Sequence, residues 1–370
     1  MTSLQEYLDQ FTRPGILYTK ENEDVRCHAC AHRCLIKPGR RGVCLMRHNR
    51  DGVLYVPWGY VSSAQVDPIE KKPLAHFLPG TNVLTFGMLG CNFHCSFCQN
   101  WITTQTLRDN RATIPIEYLQ AVTPQQLVDY AKRSGAESIA SSYNEPLITT
   151  EWAVDIFRLA KSEGLRCVYV SNGYATTEVL TYLRPYLDAF KIDLKTMQEK
   201  NYRELGGRLN HVLDAIKMAF NIGLWVEVVT LVIPGYNDSP DELWEASRYI
   251  ASVSPDIPWH VSAFHPDYKM ADRSPTSAQT LLKAAEIGQE AGLHYVYAGN
   301  LPGKVGSLED THCPACHTLL IKRRGYTVQA YHLTADGMCT NCGASIAGIW
   351  TDKPESVNLH QGGMPFRLRW

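Results

Sequence analysis

Three cysteines stand at C-x3-C-x2-C spacing in Cys91-Asn92-Phe93-His94-Cys95-Ser96-Phe97-Cys98, directly after an apolar, strand-like run from Val83 to Leu89. Three thiolates on one short loop can each take a different iron of a cubic [4Fe–4S] cluster, whereas a cluster held by four cysteines needs one more ligand. No cysteine follows within the next sixty residues, so the fourth iron is expected to stay open to an exchangeable ligand. An open iron suits catalysis rather than electron storage. The competing structural reading is a zinc knuckle completed by His94 or by a distant cysteine.

Eleven of the twelve cysteines fall into three tight clusters: this one, Cys27/Cys30/Cys34/Cys44, and Cys313/Cys316/Cys339/Cys342. In the N-terminal set, Pro38-Gly39-Arg40-Arg41-Gly42 lets the chain double back, so four thiolates can converge on one metal. Zinc or a second iron–sulfur cluster would both fit; His28, His32 and His48 nearby read as solvated loop residues. The C-terminal set is two Cys-x2-Cys knuckles separated by 22 residues, the second followed by Gly343. That is a zinc-ribbon-like pattern, and so small a module folds around its metal. Zn(2+) or auxiliary iron is therefore expected at one or both four-cysteine sites. Cys167, in the strand pattern Arg166-Cys167-Val168-Tyr169-Val170, reads as a small core residue.

The elements that must position these groups alternate. Strand-like runs at 83–89, 137–143, 166–172, 189–195, 225–233, 259–265 and 294–299 are separated by helical runs at 124–134, 150–163, 177–187, 210–220, 241–252 and 278–291. Glycines 135, 164, 223 and 292 sit where helices should end. Such βα repeats imply a parallel sheet with crossover helices. Six or seven units fall short of a closed eight-fold barrel, so the expected class is α/β with a partial (β/α)6 barrel or open sheet over residues 81–305. A Cys-rich N-terminal metal module with connector occupies 1–80, and a small C-terminal metal-ribbon β module with a tail occupies 306–370. The first 25 residues read as a polar, helix-like lead-in. The connector stretch Asp67-Pro68-Ile69-Glu70-Lys71-Lys72-Pro73-Leu74 reads as a surface crossover, its prolines and charges excluding a regular central strand. Lys322-Arg323-Arg324 reads as a solvated basic turn.

In βα folds the active site lies at the carboxyl ends of the strands. Those ends carry the cysteine loop, Ser141-Ser142-Tyr143-Asn144-Glu145-Pro146, Ser171-Asn172-Gly173-Tyr174, Lys191-Ile192-Asp193-Leu194-Lys195, Pro234-Gly235-Tyr236-Asn237-Asp238 and Ala263-Phe264-His265-Pro266. Polar residues thus crowd one rim of an otherwise apolar sheet.

The cysteine motif, with Phe97 just before its last cysteine, resembles that of the radical S-adenosylmethionine (SAM) superfamily, and the resemblance extends over the barrel to the glycyl-radical-enzyme activases. It implies a [4Fe–4S] cluster on Cys91, Cys95 and Cys98, with SAM chelating the open iron. It also implies that Phe97 packs the adenine, that Glu145 accepts from the methionine ammonium, and that Asn144, Ser171, Asn172, Asp193, Lys195 and His265 line the remaining SAM site. The activases' Gly-Gly-Glu stands here as Tyr143-Asn144-Glu145, with both glycines replaced, and their acidic residue before Thr-Asn-Gly is Val170, so no bound cation is carried over. At finer grain, Asp67 to Gly80, Cys98-Gln99-Asn100-Trp101, Tyr143-Asn144-Glu145-Pro146 and Ala298-Gly299-Asn300-Leu301-Pro302-Gly303 resemble the radical enzyme of the AmmeMemoRadiSam system. That implies Memo-like and AMMECR-type partners besides a flavodoxin- or ferredoxin-type reductant. The implied reaction is one-electron cleavage of SAM to a 5′-deoxyadenosyl radical that abstracts hydrogen from an unidentified substrate; no protein side chain is assigned as catalytic. A glycyl-radical activase working on a protein partner is the alternative, and a non-catalytic multi-zinc scaffold is the alternative of another class.

Composition narrows the setting. The 370 residues carry net charge −1 and 45% hydrophobic residues, ordinary for a globular protein. Near-neutrality argues against a protein that lives on nucleic acid, although a local basic patch keeps that open. No run approaches the eighteen or so apolar residues of a membrane span. MTSLQEYLDQ has neither a signal h-region nor a transit pattern, so a cytoplasmic protein without membrane contact is expected.

Overall fold

The computed structural model describes residues 3–360 and 366–367. Seven parallel strands make up most of a nine-stranded mixed sheet: β1 (Asn82–Gly87), β2 (Ala136–Ser141), β3 (Arg166–Ser171), β4 (Ala189–Asp193), β5 (Trp225–Val232), β6 (Trp259–Ala263) and β7 (Val296–Gly299), each beside its sequence neighbours. Ser63–Pro68 pairs antiparallel with β1 (Ser63 opposite Gly87), and Phe366–Arg367 adds an edge beyond it. In-register pairs such as Ser141 with Phe86, Ser171 with Ile192 and Asp193 with Val229 bring the carboxyl ends of β1–β5 into one row.

Local chemistry sets the helix limits. Thr123 accepts from the Gln126 amide while Gln126 reaches back to the Thr123 amide, a capping box that starts Pro124–Arg133. Ser239 and Ser277 cap Pro240–Val253 and Ala278–Glu290 by accepting from the Glu242 and Thr280 amides. Gly135, Gly164, Gly223 and Gly292 close helices at φ between 68° and 98°, a conformation costly for any side chain. Helices Thr150–Ser162 and Leu209–Asn221 fall within about a residue of expectation, whereas Thr177–Leu183 stops four residues early, before Pro185.

The sheet, its helices and the N-terminal segment share one continuous apolar core, in which Trp152, Phe157, Phe190 and Trp259 are fully buried. Leu17, Val25 and Leu54 belong to that core. The C-terminal strands Thr311–His312, Leu319–Arg324 and Thr327–Tyr331 form a separate antiparallel sheet around Leu320, Ile321 and Val328, joined by Ala75, Tyr295 and Tyr297. No helix among the described residues is long and apolar enough to cross a membrane.

Four expectations are corrected. The lead-in is helical only over Leu4–Asp9; Thr12–Pro14, Tyr18–Glu21 and Asp24–Cys27 are strands, and Asn22 at φ 58° makes the hairpin turn between the last two. The connector contributes the strand Ser63–Pro68 and is buried rather than superficial. Asp67 is fully enclosed because Lys71 and Lys72, 2.7 and 2.5 Å away, neutralise it from the same segment, and Pro68 ends the strand. His28 and His48 are buried and His32 half-buried, the last bonded to the Asn92 carbonyl at 3.0 Å. Lys322-Arg323-Arg324 lies within a strand, where the Arg323 guanidinium is buried against Thr311 and the Ala75 carbonyl.

Candidate active site

The carboxyl ends of the parallel strands open into one chamber of about 1040 Å³. Cys91, Cys95 and Cys98 line it, and so do Phe97, Asn144, Glu145, Ser171, Asn172, Asp193, Lys195 and His265. Residues from five separate strand ends therefore meet as the strand-end reading requires.

Glu145 is the best-anchored of them. It ends the tight turn after β2, where Tyr143 adopts φ 68°; the left-handed backbone suited to glycine is thus kept although the side chain is not. One Glu145 oxygen accepts from Ser171 Oγ (2.6 Å) and the Leu147 amide (3.0 Å), the other from the Asn172 amide (2.8 Å). The group is nonetheless 3% exposed, and burial pushes its carboxyl up to about 7 against those donors. It is a carboxylate short of a cation. Asn172 also donates to Asn92 Oδ1 at 2.7 Å, which ties the third strand end to the cysteine loop. Asn144 accepts from the Met88 amide at 2.9 Å and so holds the end of β1 rather than presenting a free amide oxygen.

Across the chamber, Asp193 pairs with Lys191 and, at 3.2 Å, with Lys195. The Lys195 ammonium lies 5.8 Å from the centre of the Phe97 ring; burial opposes its charge, but Asp193 and Cys95 raise it well above the usual lysine range. Phe97 packs edge-on against Tyr236 at 5.7 Å. His265 is exposed at the rim. Asn237 is buried but turned away from the chamber, bonding the Lys195 and Leu231 carbonyls as a loop brace.

Sequence reasoning passed over the opposite wall. Lys71, Lys72, His260, Arg323 and Arg324 face the same space, and burial pulls the Lys72 ammonium down to about 8 against the pull of Asp67. Beneath them Glu227, fully buried in β5, accepts from the Ala75 and His76 amides, Trp225 Nε1 and His260 Nε2 at 2.6–2.9 Å. One signal was available: a glutamate inside the apolar run Trp225–Val232 has to find buried donors.

The three cysteine sets differ in geometry. Cys313 and Cys342 lie 3.6 Å apart and Cys316 and Cys339 3.7 Å, close to the roughly 3.8 Å that four thiolates adopt around one tetrahedral ion with bonds of about 2.3 Å. Among the described residues, only these four bring their ligand atoms all within 4.8 Å of one another. The chamber cysteines form no such group, and their thiols are free. Cys91 Sγ accepts from the Phe93 amide at 3.3 Å, and Cys98 Sγ meets Thr104 Oγ1 at the same distance.

Residues 86–249 match the family model of the Radical SAM superfamily. The uncharacterized protein MJ0808 of Methanocaldococcus jannaschii is 39% identical over 338 residues, which are 90% of this chain and 98% of that protein. Pyruvate formate-lyase 1-activating enzyme of Escherichia coli K12 is 25% identical over 228 residues, covering 58% of this chain and 91% of the relative. A radical SAM methyltransferase from Sphaerobacter thermophilus superposes with TM-score 0.47 at 17% identity, over 66% of this chain and 71% of that one. With its cysteine motif inside the matched span and a relative aligned along nearly its whole length, this chain belongs to the radical SAM superfamily and is a radical SAM enzyme.

Proposed function

We propose that Cys91, Cys95 and Cys98 hold a [4Fe–4S] cluster at which SAM is cleaved reductively, and that the substrate hydrogen is taken within the same chamber. When bound, the cluster supplies one electron that breaks the S–C5′ bond of SAM, giving methionine and a 5′-deoxyadenosyl radical able to abstract hydrogen. The protein's part is to bind, orient and exclude water. The Glu145 carboxylate, held by Ser171 and Asn172, accepts from the methionine amino group. Phe97 supplies an apolar wall for the adenine, while Asp193, Lys195 and His265 offer polar contacts to the rest of the molecule. The observation that carries this reading is the convergence of the three cysteines and all eight other residues on one chamber.

The sheet is best understood as a partial barrel, since one space touches the ends of strands from β1 to β7. The C-terminal cysteines, at tetrahedral spacing, hold zinc in a ribbon module spanning roughly residues 306–370 after a barrel over 81–305. A flavodoxin- or ferredoxin-type protein is the electron donor, and Memo-like and AMMECR-type proteins are the companions to seek by co-purification. The similarity to pyruvate formate-lyase 1-activating enzyme favours a second reading, in which the hydrogen comes from a glycine of a protein partner.

The test is anaerobic reconstitution, addition of dithionite and SAM, and detection of 5′-deoxyadenosine by mass spectrometry. Product from the native chain and none from Cys98→Ala is the expected result. Full cleavage by Cys98→Ala, or a native protein that takes up zinc and no iron at this loop, would refute the assignment.

A further inference from the structure

The chamber has a floor that the proposed SAM site leaves free. Alternate residues of its strands line it, Val229 and Leu231 on β5, His260 and Ser262 on β6, Tyr297 and Gly299 on β7, the period-two pattern of a sheet's inner face. His260 stands three residues before the end of β6 at Ala263, about 10 Å deeper at the rise of a strand. Glu145, Asn172 and His265 instead follow the ends of their strands. At about 1040 Å³ the chamber stands at the top of the roughly 300–1,000 Å³ range of small-molecule sites, which is large for SAM alone.

Positive charge gathers on that floor. After the strand Ser63–Pro68 the chain crosses to the far edge of the parallel strands, where His76 Nε2 meets the Tyr297 hydroxyl of β7 at 2.6 Å, and it carries Lys71 and Lys72 into the chamber wall. The C-terminal sheet adds Arg323 and Arg324. The two lysines share one carboxylate, Asp67, at 2.7 and 2.5 Å. Arg323 Nε lies 3.8 Å from Glu70, whose carboxyl burial pushes above its ordinary value, toward the neutral form. Glu309 is occupied by the Gly303 and Gly325 amides at 2.9 and 2.7 Å, and Arg324 is exposed and makes no ion pair among the described residues. Four cations thus face three carboxylates, one of them drawn toward neutrality.

Two further features mark the floor as short of an anion. Burial lowers the Lys72 ammonium to about 8, and the charges of Lys71 and Lys191 pull the same way against Asp67; a bound anion would relieve all three. His260 is held through Nε2 by Glu227 at 2.6 Å, and its other ring nitrogen has no partner among the described residues. The competing explanation is structural: the cations clamp the C-terminal module to the sheet, as Arg323 does through Thr311 and the Ala75 carbonyl. That account covers Arg323 but gives Arg324 and the second lysine no task.

We propose that Lys71, Lys72, Arg324 and His260 bind an oxyanion, a phosphoryl or carboxylate group, of a small-molecule substrate, and so hold its carbon skeleton between the floor and SAM. Arg323, its terminal nitrogens already bonded, contributes charge rather than a hydrogen bond. These residues make and break no bond; they position the substrate, and the C-terminal module shares in its recognition. That the anion belongs to the substrate rests on the SAM site proposed above; that the floor binds an anion does not.

Isothermal titration of inorganic phosphate and of acetate into the full-length reconstituted protein, without reductant and at low ionic strength, tests the floor. At least one should bind saturably, and the tighter of the two tells a phosphoryl from a carboxylate group. Arg324→Ala should weaken that binding about tenfold, the loss of one charge-assisted hydrogen bond, and Arg324→Lys should restore most of it. Lys72→Met should weaken it at least as much; if that variant does not fold, Arg324→Ala, at an exposed position, decides alone. Saturating SAM should leave the anion affinity unchanged. No saturable binding of either anion, or binding that neither substitution weakens, would overturn the proposal and leave the cations as a clamp. Displacement of the anion by SAM would overturn it as well, by placing the anion in SAM's own site. If SAM itself does not bind, the SAM reading fails, and the substitutions still decide whether the floor takes an anion.

Discussion

Replacing Glu145 with glutamine tests the chamber most directly. The carboxylate is buried, accepts from Ser171 Oγ and the Leu147 and Asn172 amides, and has its protonation pushed up to about 7. If it accepts an N–H of the SAM amino group, SAM binds its ionised form. Between pH 6 and 8 the free protein passes from mostly protonated to mostly ionised, so SAM affinity should tighten about tenfold over that window and level off above it. Glu145→Gln removes the charge and turns one amide nitrogen toward existing donors. A hydrogen bond to a charged group contributes about 1.5–3 kcal/mol, so affinity at pH 8 should fall about 10- to 150-fold and lose its pH dependence. The folding linkage has a matching sign. A carboxyl raised above its ordinary 4.5 favours the protonated folded state, so the unliganded protein loses this contribution as pH rises from about 4.5 to about 7. SAM should therefore raise Tm more at pH 8 than at pH 6. Isothermal titration of SAM into the reconstituted protein at both pH values reads the effect. An unchanged Kd for Glu145→Gln, or a native Kd that does not vary between pH 6 and 8, would refute the assignment of the amino group to Glu145.

Two further perturbations probe the scaffold. Glu227→Ala strands four donors that now converge on one buried carboxylate; it should cost about 3–5 kcal/mol and lower Tm by roughly 6–20 °C for a domain of this size, and a fall below about 2 °C by scanning fluorimetry would contradict it. Stripping the C-terminal metal with a chelator should release Leu319–Arg324 and open the chamber wall, giving new tryptic cleavage at Lys322-Arg323-Arg324 while the central sheet resists; an unchanged digest would show that the module stands without metal.

What the sequence makes legible follows from chemistry that is local along the chain. Apolar runs between Gly-terminated helical stretches, with Thr123, Ser239 and Ser277 available as caps, determine a parallel βα sheet, because helix ends and strand periods are set within a few residues. Thiols at C-x3-C-x2-C and Cys-x2-Cys spacing announce metal chemistry for the same reason. The lead-in and the connector misled because their fate depends on distant partners. Asp67 and Lys72 look like surface charge until they meet each other and Tyr143 inside the fold, and Arg323 looks like part of a basic turn until the Ala75 carbonyl, 248 residues away, accepts its hydrogen bond. Only the tertiary structure closes Glu145 onto Ser171 and Asn172, gathers eleven foreseen residues around one chamber, and brings the four C-terminal thiols within 4.8 Å of one another. Sulfur-to-sulfur distance is fixed by how the loops pack and not by the spacing of their cysteines.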